Sequence, residues 1–257
     1  MGGRSSTFKY DNLGNEISTL AKYTPLIPAE KDTISERNND NIDILQEDNI
    51  TVCRSTDNFS HENINPNFLK IREINDKFYG IVKNLKHTNL DIRGAKFEDS
   101  TIACFSHNLT DKDDMTIFLS SDLSTKTKHQ IEKDTKDQID MKYWSPCDNN
   151  ELINHTLAHE YGHFVQKLLI EKNIDKEKRK KQNFSQNKLD YSMEAIKIKN
   201  SILKIQKEKF NETNSFISEY ATENSREFFA EVFANLMTSK EPTNLAKSLE
   251  IYIKENL

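Results

Sequence analysis

The chain has 257 residues, 35% of them hydrophobic, with a net charge of −5 and a pI near 5.9. Both signs of charge are interspersed, which excludes the basic face that nucleic-acid binding requires. Mean hydropathy is −0.78 and no run approaches the roughly 20 apolar residues of a membrane span, so part of the chain lies outside any core.

The length suits one large domain or two small ones. Cys53, Cys104 and Cys147 are odd in number and lack metal-ligand spacing, so they are read as reduced residues, not a disulfide framework. The N-terminus has no apolar stretch of the secretory kind, which points to the cytoplasm of the producing cell. Export from there would need a specialised secretion system, which requires no such stretch. Met1-Gly2-Gly3-Arg4-Ser5-Ser6 fits the short myristoylation pattern, for which a flexible Gly/Ser start is the plainer explanation.

Residues 1–60 are rich in Asn, Asp, Ser and Glu, with Pro25 and Pro28, and read as a polar arm. Short ordered pieces are expected around Ile42–Leu45 and Ile50–Cys53. The remainder, 61–257, is expected to be the folded domain. Asn65 can cap a helix with Pro66 at its first position. Phe68, Ile71, Ile74, Phe78, Ile81, Val82 and Leu85 follow at helical spacing, so a helix is predicted over 66–85.

Leu90–Ile92, Thr101–Phe105 and Met115–Leu119 resemble strands, with a turn at Asn108–Asp114, and together predict a small mixed sheet. Leu123–Lys142 predicts a surface helix anchored sparsely by Leu123, Ile131, Ile139 and Met141. It closes at Tyr143-Trp144-Ser145-Pro146. With strands grouped before a run of helices, the fold class is α+β and mainly helical.

Asp148 or Asn149 can cap the next helix, over 150–171, whose apolar residues imply burial on more than one side. This helix carries His159-Glu160-Tyr161-Gly162-His163. One turn apart on one face, the two imidazoles can grip a single zinc ion. Glu160 is placed to act as general base on a metal-activated water. Gly162 costs about 1 kcal/mol relative to Ala in a helix, and its smallness leaves room for another segment or a substrate. His155 shares the face of His159 and is read as a surface residue or one that supports the ligands.

Residues 171–190 form a dense charge run, read as a solvated loop. Helical spacing returns over 191–210 with Met193, Ile196, Ile202, Leu203 and Ile205, so 171–210 is a charged helical insertion. From Asn224 a further helix bears Phe228, Phe229, Val232, Phe233 and Leu236, with Glu227 and Glu231 one turn apart. Like charges at that spacing repel, and a cation would reverse the sign. Asn224-x-x-Glu227 can alternatively be a capping box, and Glu231 an exposed residue.

The pairing of His159-Glu160-x-x-His163 with Tyr220 and Glu227-Phe228-Phe229-Ala230-Glu231 resembles the gluzincin metallopeptidases of the anthrax lethal factor type. Clostridial Pro-Pro endopeptidases and domains of phage minor head proteins and polymorphic toxins share this arrangement. The resemblance covers about 115–240. It implies a zincin-like fold and a Zn2+-dependent endopeptidase, with His159, His163 and Glu227 as metal ligands and Glu160 as general base. It further implies that Tyr220 donates to the oxyanion and that Glu231 orients a ligand histidine through its other ring nitrogen.

The resemblance also matches Met115–Leu119 to an edge strand that holds an extended peptide substrate by strand addition. Two other readings stay open. One is a phage or mobile-element adaptor that binds zinc with little turnover; the other is a protease toxin or effector. Substrate specificity and oligomeric state are left open.

Overall fold

In a computed structural model of the chain, the structure describes residues 8–10, 16–18, 23–25, 44–47, 50–53, 61–82, 85, 88–97, 102–107, 115–120, 127–174 and 184–257. The lipidation pattern at Met1–Ser6, the turn Asn108–Asp114 and Leu123 lie outside the described residues, as do 175–183 of the charge run. The chain groups into two bodies, Met1–Arg72 with Lys86–Thr127, and Glu73–Leu85 with Lys128–Leu257.

The first body holds the strands. Strands β1 (Phe8–Tyr10) and β2 (Glu16–Ser18) pair antiparallel. The larger sheet contains β3 (Tyr23–Pro25), β4 (Ile44–Glu47), β5 (Ile50–Cys53), β6 (Leu90–Phe97), β7 (Ala103–His107) and β8 (Met115–Ser120). It runs β4-β5-β6-β8-β7, with β3 also paired to β6. The sheet is mixed, because β6 is parallel to β5 and β8 while β7 is antiparallel to β8.

Strand β8 is not an edge. Ile117 faces Ile92 of β6 on one side and Phe105 of β7 on the other. Met115, Thr116, Ile117, Phe118 and Leu119 are all buried, as a strand covered on both faces requires. With both ladders engaged, its backbone cannot take a substrate strand, which corrects the edge-strand expectation for Met115–Leu119.

Helix α1 (His61–Ile81) begins upstream of the predicted start and runs through Pro66, whose missing N–H removes one helical bond. From Glu73 onward it belongs to the second body. There it buries Ile74 and Phe78, and Val82 just past its end is buried too. Among the described residues of that body, α2 (Lys128–Asp140), α3 (Leu152–Asn173), α4 (Phe184–Phe210) and α5 (Ser225–Thr238) follow it. The last is α6 (Asn244–Asn256).

Helix α2 is mostly exposed and ends at Asp140, and the chain leaves the helical region at Lys142, whose φ is 59°. Met141 is 59% exposed and is no anchor. A 3-10 turn, Asn149–Glu151, precedes α3. Asp148 does not cap it by side chain; its carboxylate accepts from Lys240 N–H at 3.0 Å.

Helix α4 starts earlier than predicted and buries Tyr191, Ala195, Ile198 and Ile202, while Met193 and Ile196 are half-exposed. Lys77 of α1 donates to the carbonyls of Leu236 and Met237 at 2.9 and 3.0 Å, satisfying the C-terminal end of α5. Among the described residues no helix is long and apolar enough to cross a membrane.

Candidate metal centre

Helix α3 is buried nearly all round, and its polar residues need partners there. Its closest neighbour is α5. A Cβ on Gly162 would lie 2.9 Å from Ala230 Cα and 3.1 Å from Phe233 Cβ. The missing side chain therefore serves helix–helix approach. The room foreseen beside Gly162 is filled by α5, the segment that carries the two glutamates.

That approach brings three donors together. His159, His163 and Glu227 each offer a ligand atom, all within 4.8 Å of one another and all buried. Glu227 Oε2 lies 3.2 Å from His159 Nε2 and 3.6 Å from His163 Nε2. Two donors bound at about 2.0–2.1 Å to one tetrahedral ion sit roughly 3.3–3.4 Å apart. The arrangement fits zinc on that measure. The two imidazole planes cross at 82°, with centroids 4.9 Å apart.

Glu227 resolves its two readings. Asn224 does cap α5, its side chain accepting from Arg226 N–H at 2.9 Å and Glu227 N–H at 3.1 Å. The Glu227 carboxylate does not complete the box. It is fully buried, neither oxygen accepts a well-formed hydrogen bond, and it faces the histidines. Burial by itself would raise its pKa, but the positive potential of His163 and His159 and their hydrogen-bonding reach outweigh it and hold the group at about 2.

Glu231 is fully buried too, and not exposed. His159 Nδ1–H donates to its Oε1 at 2.7 Å. A carboxylate only accepts, so a proton sits on Nδ1, and Nε2, turned to Glu227, is the nitrogen that would offer its lone pair to a metal ion. Oε2 of Glu231 accepts from Ser145 N–H at 2.5 Å and from the Ser218 hydroxyl at 3.1 Å.

His155 is completely buried, not a surface residue. Its ring stacks on Trp144 at 5.7 Å and its Nε2 shares a 2.9 Å hydrogen bond with Ser145 Oγ. Tyr220 opens a 3-10 turn, Tyr220–Thr222, with its ring 5.7 Å from that of His159 and 5.5 Å from that of Tyr143. The backbone beneath is joined to the turn after α2: Glu219 N–H donates to Lys142 O and Tyr220 N–H to Tyr143 O. Glu160 is buried on α3, about 100° round the helix from His159.

Ser145, Ser218 and the structural part of His155 had no signature in the sequence. Ser145 acts on Glu231 through its backbone N–H, which almost any residue would supply. Ser218 is one serine among many, and only its fold neighbours single it out.

A buried site of two imidazoles and a carboxylate, one imidazole anchored by a second carboxylate, defines a metal-binding protein. The chain belongs to the family described as "Putative zinc-binding metallo-peptidase", whose model matches residues 72–256. It is thus a zinc-binding metallopeptidase by family, with peptide as its substrate class. No curated protein and no solved structure matches the chain.

Proposed function

We propose that the chain is a zinc endopeptidase of the gluzincin kind, with His159, His163 and Glu227 holding the ion. The observation that carries the reading is the meeting of these donors from two helices at the separations a tetrahedral ion needs. Bound there, zinc supplies Lewis acidity, making water nucleophilic at neutral pH and polarising the scissile carbonyl.

Glu160 takes a proton from the attacking water and returns it to the departing amine, so the peptide and one water become an acid and an amine. Tyr220 donates to the oxygen that gains charge, from a turn beside His159. Glu231 keeps His159 in the tautomer that offers Nε2. With His159, His163 and Glu227 as its only protein donors, a bound ion would stay open to water or substrate, as in catalytic sites and unlike closed structural ones. This favours catalysis over the adaptor alternative, as does the presence of Glu160 and Tyr220.

The test is Glu160→Gln. It should keep zinc at wild-type stoichiometry and lower peptide cleavage by roughly 10²–10⁴-fold. Undiminished cleavage by that variant would exclude Glu160 as the base.

A further inference from the structure

Ser218 contributes one hydroxyl to two different structures at once. It is fully buried, donates to Glu231 Oε2 at 3.1 Å, and accepts from Ala221 N–H at 3.1 Å. A hydroxyl has one proton and two lone pairs, so both bonds coexist. The first bond is to an ionised acceptor, the stronger kind. It fixes the carboxylate whose other oxygen holds His159 Nδ1. The second closes the Ser218–Ala221 turn, in which Tyr220 sits.

We propose that Ser218 is a positioning residue, coupling the carboxylate that orients His159 to the turn that carries Tyr220. The inference rests on the reading that His159, His163 and Glu227 hold zinc. Glu231 Oε2 has a second donor, the Ser145 N–H at 2.5 Å, belonging to the segment whose Ser145 Oγ is bonded to His155. Removing the Ser218 hydroxyl leaves that donor and loosens the carboxylate without abolishing its bond. Groups that hold a ligand histidine typically contribute about 10–100-fold in metal affinity, and Ser218, acting one bond further out, belongs at the low end of that range.

The experiment is a zinc-affinity cycle, read by competition with a chromophoric chelator on Ser218→Ala, Glu231→Gln and the double variant, with folding checked by circular dichroism. Ser218→Ala should weaken zinc about tenfold. The double variant should bind no more weakly than Glu231→Gln alone, because Ser218 acts through Glu231. An unchanged affinity in Ser218→Ala, or losses that simply add, overturns the proposal and leaves the serine a turn former only.

Ser218→Thr retains the hydroxyl and is the variant read if Ser218→Ala does not fold. Near-wild-type zinc binding supports the proposal, and a tenfold loss counts against it. His163→Ala runs in the same titration. Wild-type affinity there would show that the ligand assignment has failed, whatever Ser218 does.

Discussion

In α4 the buried residues Tyr191, Ala195, Ile198 and Ile202 fall at helical spacing along one face, and Leu189, Met193 and Ile196 stand half-exposed on another. In α3 burial runs all round and takes in Asn154, His155, Thr156, His159, Glu160, His163, Gln166 and Lys167. The two helices are part of one body and use burial for different ends. Apolar contact is most of what α4 supplies, with buried Gln206 donating to the Asn214 carbonyl at 2.9 Å. Helix α3 buries polarity that costs free energy unless it is paired: His159 donates to Glu231, Tyr161 to Asn75 and Gln166 to the Ser225 carbonyl. Lys167 and Glu171 form an ion pair within α3. Buried polarity, more than apolar patterning, marks the candidate metal centre.

The contrast can be broken most sharply at Ile198 of α4. Ile198→Ala should cost about 2–5 kcal/mol in thermal or urea unfolding, from lost burial and the cavity left behind. Zinc affinity of the molecules that remain folded should not move. A parallel loss of zinc binding would mean that α4 shapes the site and that the division is wrong.

A smaller effect is expected at Gly162 of α3. Ala is the better helix former by about 1 kcal/mol, so propensity alone predicts a gain. The Cβ, however, would press on Ala230 Cα at 2.9 Å, which is backbone and cannot turn aside. Overpacking of that sort costs about 1–3 kcal/mol. Because the displaced helix carries Glu227, zinc affinity should fall with stability. A more stable Gly162→Ala with full zinc binding would contradict the close approach.

Acid acting on Glu227 is expected to give an effect between these two. Its folded pKa of about 2 lies below the ordinary 4.5, so the stability it contributes to the metal-free protein is whole above pH 4.5 and is lost as pH falls towards 2. The stability difference between wild type and Glu227→Gln should shrink over that window. A difference that does not change with pH over that window, measured by urea unfolding, would place Glu227 in an ordinary carboxylate environment.

Much of the centre was legible in the residues. His159 and His163 share a helix face by periodicity alone, and Glu227 and Glu231 stood out as stacked carboxylates beside Phe228 and Phe229, where only a partner makes them tolerable. Other features depended on contacts between segments far apart in the chain. That Gly162 meets Ala230, that Glu231 takes His159 and not solvent, and that Met115–Leu119 lies inside its sheet are facts of packing. The start of α1 was misplaced because a favourable cap and proline at Asn65-Pro66 outweighed, on paper, a helix able to run through them.

From its residues alone this chain determines a helix bearing His-Glu-x-x-His and a second bearing paired glutamates, because side-chain direction along a helix follows from 3.6 residues per turn. Tertiary structure decided that the two helices meet, at a glycine, closely enough for Glu227 to face both imidazoles. It also decided which groups hold Glu231. Local pattern sets the direction of a side chain relative to its own helix axis, while the distance between donors on different helices depends on how those axes pack.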